Sequence, residues 1–319
     1  MKALATILTL ASGVAAWTVG CSDGRAREES RVAQSGASAR PSWDSTSWRA
    51  PDISRLPNDS LSAAIRRGRA LILATSDSLP RFVGGNLNCT SCHLDEGRRG
   101  TSAPLTGAFG RYPRYIERTG AVVSMQERVN YCMTRSLAGR RLPNDSREML
   151  DMLAYLAFLS RGVPMGAHLP QEGMPVMPKD VGDSSSGAQV YRAACVRCHG
   201  ADGAGVAKVP ALWGPKSFSI GASMARQERA ASFIRYNMPF DRPGTLTARQ
   251  AYDVAAYITS QPRPDMPEKA HDWPFGGAPA DVPYDTPGHA AFHPPGLLSR
   301  ADHDNGFVSA PRRASADGR

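Results

Sequence analysis

Two short motifs constrain this chain more than any other feature: Cys89-Thr90-Ser91-Cys92-His93 and Cys195-Val196-Arg197-Cys198-His199. Each is a C-x-x-C-H sequence, the spacing at which two thiols add to the two vinyl groups of one porphyrin. The histidine that follows turns its imidazole onto the iron. A zinc site would bring its cysteine pairs closer in sequence, and a thioredoxin-like motif has no need of a histidine after both pairs. The expectation is therefore two covalently attached c-type haems, bound by Cys89, Cys92 and His93 and by Cys195, Cys198 and His199, with His93 and His199 as iron ligands. A length of 319 residues exceeds what one core usually organises. No long sheet pattern is visible, so the expected fold is all-α, with two cytochrome c-type domains each wrapping one haem.

The second motif stands 106 positions after the first, and the same offset carries Cys132 onto Met238. In a small haem domain the sixth ligand lies well after the attachment motif and shortly before a C-terminal helix, which is where Met238-Pro239 falls. A helix should follow from the capping box Thr247-x-x-Gln250, run through Tyr252, Val254, Ala255 and Ile258, and stop before Pro262. In the first half, Asp145 and Glu148 open the comparable segment, with Met149, Met152, Leu153, Leu156 and Leu159. The pairs Asp151/Tyr155 and Asp253/Tyr257 recur at the same internal spacing. Met224 and Met266 compete with Met238 but stand at no repeat-matched place. His168, His271, His289, His293 and His303 fall in linker or tail sequence and read as exposed rather than as ligands.

Where the repeat offers methionine in the second half, the first half offers Cys132, which has no disulfide partner once Cys21 is lipidated or removed. Ser124-x-x-Glu127 reads as a capping box opening a helix that ends near Gly139 and contains Cys132. On that helix Arg128, Arg135 and Ser136 share a face with the thiol. Nearby cations stabilise thiolate and attract anions. Pattern alone leaves two readings open: a reactive cysteine among anion-binding side chains, or a core stripe of Met125, Val129 and Cys132 with arginines that meet haem propionates.

Lys2 and the apolar run from Ala3 to Val19 have the build of a secretory signal. Cys21 after Gly20 resembles a lipobox cysteine, although Thr18 stands at the usual leucine position. Cleavage nearby without lipid and an uncleaved anchor are the alternatives. The expected order is a signal sequence over 1–20, a flexible tether over 21–55 and a first haem domain over 56–165. A linker over 166–187, a second haem domain over 188–275 and an irregular tail over 276–319 complete it. The formal charge of +9 would suit nucleic acid in the cytoplasm. Export excludes that partner and leaves small anions, anionic membranes or acidic redox proteins. The expected location is periplasmic, with Cys21 as a lipid-anchor candidate.

From about Arg67 to Pro274 the chain resembles the thiosulfate dehydrogenase and tetrathionate reductase family of dihaem cytochromes c. The resemblance is carried by Arg69-Ala70-Leu71, Leu87-Asn88-Cys89-Thr90, Glu127-Arg128-Val129-Asn130-Tyr131-Cys132 with Arg135-Ser136-Leu137, Asn237-Met238-Pro239 and Asp253-Val254-Ala255-Ala256-Tyr257 with Arg263-Pro264. It implies a first haem ligated by His93 and Cys132 at the active site, and a second haem, ligated by His199 and Met238, as the electron exit. It further implies Arg118, Arg128 and Ser136 as oxyanion-binding residues, to which helical spacing adds Arg135. Thiosulfate or tetrathionate would be the substrate, and a small cytochrome c or similar carrier the external acceptor. Some relatives place lysine directly before the second-haem methionine; here that residue is Asn237. The family's C-terminal segment containing Pro and Tyr is loosely echoed by Asp281-Val282-Pro283-Tyr284. A plain dihaem electron carrier and a dihaem peroxidase are the rival expectations, separated from it by thiosulfate and peroxide turnover.

Overall fold

The computed structural model describes residues 43–286, and the signal, the Cys21 and distal-tail assignments, His289, His293 and His303 lie outside these residues. The described residues from Ser45 onward belong to one compact unit. Its helices of ten residues or more are α1 (Ser60–Leu73), α2 (Met125–Thr134), α3 (Arg147–Phe158), α4 (Ser184–Ala194), α5 (Gln227–Asn237) and α6 (Ala248–Thr259). Among the described residues no helix is long and apolar enough to cross a membrane. One feature departs from a purely helical expectation: an antiparallel hairpin of β1 (Arg114–Ile116) and β2 (Ala121–Val123), paired Arg114 to Val123 and Ile116 to Ala121.

In each half, an early and a late helix cross at a glycine. In the first half α1 packs on α3, and a Cβ added at Gly68 would stand 1.9 Å from the Asp151 carbonyl oxygen. In the second half α4 packs on α6, and a Cβ at Gly187 would stand 1.9 Å from the Asp253 carbonyl oxygen. The glycines let two backbones touch, and the recurring aspartates bind the crossing. Asp151 takes both Nε and Nη2 of Arg67 at 2.7 and 2.8 Å, while Asp253 accepts the Asp183 N–H at 2.8 Å and pairs with Arg249 at 2.9 Å. The recurring tyrosines sit beside the same contacts, with Tyr155 Cβ next to Gly68 and Tyr257 Cβ next to Gly187.

Local capping sets the helix starts. At α6 the reciprocal box is complete, with Thr247 Oγ1 accepting from Gln250 N at 3.2 Å and Gln250 Oε1 from Thr247 N at 2.9 Å. At α3 the cap is Ser146, not Asp145, its hydroxyl accepting from Met149 N at 3.2 Å. At α2 Ser124 accepts from Glu127 N at 3.2 Å, but the Glu127 carboxylate turns away to Arg141 at 2.6 Å and Asn144 at 2.9 Å. α2 also ends at Thr134, several residues before Gly139. Ala138 adopts a left-handed φ of 48°, and the chain leaves the helix through Leu137 N to Cys132 O and Gly139 N to Met133 O, both 2.9 Å. Such wrap-around bonds satisfy the last carbonyls of a helix.

Two main apolar clusters form. The first gathers Ile65, Ile72, Met133, Met149, Met152 and Leu159, and the second gathers Tyr191, Ile234, Tyr252, Val254 and Ile258. A third and smaller cluster joins Ile220, Met266, Trp273, Val282 and Tyr284, so the last described residues fold back onto the body. At the other end Trp48 donates to the Arg161 carbonyl at 3.0 Å, and Ile53 and Leu56 pack on the first cluster.

Forcing a methyl group into either crossing should push the helices apart. Gly68→Ala and Gly187→Ala are each expected to lower unfolding free energy by about 1–3 kcal/mol, the usual cost of overpacking. Denaturant titration followed by circular dichroism measures it, and unshifted midpoints would mean that the crossings tolerate a Cβ.

Candidate haem and anion site

The thiols of Cys89, Cys92, Cys195 and Cys198 are all free, as porphyrin attachment requires. Each motif histidine is held by Nδ1 on a carbonyl further along its own loop, His93 on Ala103 at 2.6 Å and His199 on Pro210 at 3.1 Å. That bond orients the ring and leaves Nε2 as the metal-facing nitrogen. Burial holds His199 below the ordinary imidazole range, in the neutral form that ligates. Among the described residues no group of three or more His, Cys, Asp or Glu converges as a zinc site would.

The first motif opens onto a cavity of about 590 Å³ whose walls include Cys89, Cys92, His93, Met152 and Leu156. Apolar walls, two unpaired thiols and an oriented imidazole together fit a covalently held haem. Cys132, on α2, lines the same cavity. Arg128, one helical turn earlier, donates from Nη1 to Cys132 Sγ at 2.7 Å. Burial drives the Cys132 thiol upward, but the Arg128 guanidinium and the facing His93 imidazole outweigh it and bring it down to about 6. In the same cavity burial prevails at Cys89 and pushes its thiol up to about 11. The two sulfurs differ because only Cys132 has a guanidinium in contact.

The structure places Arg118, Arg128 and Ser136 on the wall of this one cavity. Arg118 comes from the β1–β2 turn, where Gly120 takes a left-handed φ of 61° in close contact with Pro274 and Phe275. Its Nε donates to Asp272 Oδ2 at 2.8 Å, and Nη2 donates to the Gly221 carbonyl at 2.8 Å and to the Tyr284 hydroxyl. Arg135, set on the Cys132 face by continuing the helix, stands instead at the α2 C-cap, where helical spacing no longer applies. It turns to Asp272 Oδ1 at 2.5 Å and does not line the cavity.

Sequence reasoning missed four residues here. The Tyr131 ring lies under three guanidiniums, 3.8 Å from Arg135 and 5.5 Å from both Arg118 and Arg128. Its only signal was its place beside Cys132. Asp272 bridges Arg118 and Arg135, Trp273 stacks on Arg118 at 4.7 Å, and Tyr284 donates to Asp272 at 2.7 Å. All three lie in irregular sequence without periodicity, where only the loose echo around Tyr284 offered a pointer.

In the second half Met238 caps α5 and packs against the second cluster, as Cys195, Val196 and Leu212 also do. Met224 instead lines the first cavity, and Met266 is buried in the third cluster. His168 is exposed and paired with Glu172 at 2.6 Å, and His271 is exposed.

Residues 84–165 match the SoxA/TsdA cytochrome c domain family, and residues 182–258 match the family of cytochrome C oxidase, cbb3-type, subunit III. The thiosulfate dehydrogenase of Psychrobacter arcticus is 41% identical over 239 residues, covering 73% of this chain and 73% of that protein. That of Allochromatium vinosum is 39% identical over 233 residues, covering 70% of this chain and 86% of that protein. The solved as-isolated form of thiosulfate dehydrogenase (TsdBA) from Marichromatium purpuratum superposes with a TM-score of 0.65 at 32% identity, over 68% of this chain and 50% of that chain. This chain therefore spans half the length of that solved chain.

Asp272 is a single buried carboxylate holding two guanidiniums, its side chain 1% exposed against 12% for Arg118 and 8% for Arg135. Asp272→Asn should cost about 3–5 kcal/mol of stability, because it leaves buried charge uncompensated. It should also free the segment around Tyr284 for proteolysis. Unchanged stability together with unchanged protease resistance would show that the network does not close the cavity.

Proposed function

Because this chain belongs to the thiosulfate dehydrogenase family, as dihaem cytochromes c with two covalently bound haems, we propose that it couples two thiosulfates into tetrathionate and passes the two electrons to an external acceptor. The observation that carries the reading is the Arg128 contact of 2.7 Å on Cys132 Sγ inside the cavity faced by His93. Each haem, when attached, supplies a one-electron redox centre.

Arg128 and Arg118 receive the sulfonate oxygens of the incoming dianion, since guanidinium forks match such oxygens and stay charged. Ser136 adds a hydroxyl donor from the same wall. Cys132, held as thiolate by Arg128, would ligate the iron at rest and is the nucleophilic sulfur in turnover. Its thiolate and the outer sulfur of one thiosulfate form a sulfur–sulfur bond, releasing two electrons and leaving a cysteinyl S-thiosulfonate. A second thiosulfate attacks the sulfur bonded to Cys132, tetrathionate departs, and the thiolate is restored. The second step is a redox-neutral thiolate exchange, so the direction of the whole sequence is set by whether the external partner takes or supplies the two electrons of the first step. His199 and Met238 would ligate the exit haem. The guanidiniums of Arg118 and Arg128 on the cavity wall favour this chemistry over a plain carrier, which needs no anion site. The enzyme works in the periplasm, with Cys21 available for a lipid anchor and a small cytochrome c as acceptor.

Purified protein given thiosulfate and an artificial acceptor should yield tetrathionate, and no product above a haem-free control would end the enzymatic reading. Cys132→Met should keep both haems and raise the first-haem potential while abolishing most tetrathionate formation. An unshifted potential would remove Cys132 from the iron, and near-normal turnover would remove it from catalysis. Arg128→Ala should weaken apparent thiosulfate affinity by about 1.5–3 kcal/mol, the worth of a charge-assisted contact. An unchanged Michaelis constant and rate would return Arg128 to a structural role.

A further inference from the structure

α5 ends on Asn237, the residue before Met238, and this side chain is 0% exposed. An asparagine amide offers one acceptor oxygen and two N–H donors. Here Oδ1 accepts the Thr101 hydroxyl at 2.7 Å, and Nδ2 donates to the Thr101 carbonyl and to the Phe233 carbonyl, each at 3.0 Å. The first two bonds cross from the second haem domain to the first. Thr101 sits between His93 and Ala103, the residue whose carbonyl holds His93 Nδ1 at 2.6 Å. The third bond ties the crossing to α5, and Phe233 itself lines the first cavity. An unbroken run of short bonds and backbone thus joins the loop that orients one haem's histidine to the residue preceding the other haem's methionine.

We infer that Asn237 is a positioning residue that locks Met238 as the sixth ligand of the second haem by fastening the preceding residue to Thr101 of the first haem domain. The inference rests on the reading of Met238 as that ligand. A thioether is a neutral, weakly held ligand of ferric iron, and its retention depends on how firmly the chain fixes its loop. With both amide groups engaged, Asn237 cannot itself compete for the iron. Breaking the lock leaves buried carbonyls without their donor and lets the Met238 segment move away from the metal.

The test is an imidazole titration of the ferric two-haem protein, following the far-red absorption band of methionine-ligated haem alongside the spectrum of the first haem. Asn237→Ala should bind imidazole at the second haem at least tenfold more tightly than the unaltered protein, equivalent to about 1.4 kcal/mol, with the first-haem spectrum unchanged. Thr101→Val keeps the carbonyl and removes only the hydroxyl donor, so it should shift in the same direction by less. That milder variant decides the matter if Asn237→Ala fails to fold. Met238→Ala separates the premise from the inference. If the band survives in Met238→Ala, Met238 is not the ligand and the premise falls. If the band is lost there while the Asn237 and Thr101 variants titrate like the unaltered protein, the locking role of Asn237 is overturned.

Discussion

The close crossing of an early and a late helix in each half is the contact on which the rest of the structure depends. Gly68 against Asp151 and Gly187 against Asp253 leave no room for a side chain. Close packing of this kind is unforgiving, so the geometry of each crossing is fixed within narrow limits. The first crossing holds α3, whose Met152 and Leu156 line the cavity, against the helix that precedes the first C-x-x-C-H loop. The tyrosines confirm the link from packing to site. Tyr155 reaches the Glu96 carbonyl at 3.0 Å, just beyond His93, and Tyr257 packs at a tilt, 5.4 Å between centroids, on Tyr191, whose hydroxyl donates to the Gly200 carbonyl at 2.7 Å, just beyond His199.

Upon that shared frame the first domain adds charge. Arg118, Arg128 and Arg135 crowd one tyrosine ring, and the carboxylate of Asp272 answers only Arg118 and Arg135. Arg128 is left facing Cys132, which is why that sulfur is drawn to its anionic form despite burial. An excess of buried positive charge lined up with a thiolate is an arrangement that a substrate dianion completes and a neutral ligand does not. The second domain has no equivalent. Met238 has a neutral thioether and packs against an apolar cluster.

The two domains also build parts of each other. Met224 and Phe233, from the second half of the chain, and Trp273, from beyond α6, line the first cavity beside Cys132. Met224 packs against both main apolar clusters. The hairpin that presents Arg118 is braced from the same side, since the Trp273 N–H donates to the Arg118 carbonyl at 2.8 Å. A cavity assembled this way ties its own integrity to the placement of the second domain.

The attachment motifs, the Met238 repeat and the capped helix at Thr247 were legible in the sequence, because covalent chemistry and i to i+3 capping are local and leave fixed spacings. Cys132 was legible as an anomaly in the repeat, and Arg128 followed from one helical turn. Arg135 was not, because the helix stops at Thr134 through a left-handed turn at Ala138 that no helical spacing announces. The segment opened by Asp145 and Glu148 in sequence is capped one residue later, by Ser146. The hairpin strands are three residues long, too short to show an alternating pattern. Asp272, Trp273 and Tyr284 lie more than a hundred residues from Arg118 along the chain, in irregular segments. The sequence by itself determined where the two C-x-x-C-H motifs stand and which sulfur breaks the repeat. Only the tertiary structure decided which arginine that sulfur meets and which carboxylate restrains the others, because those choices depend on long-range packing between segments that share no periodicity.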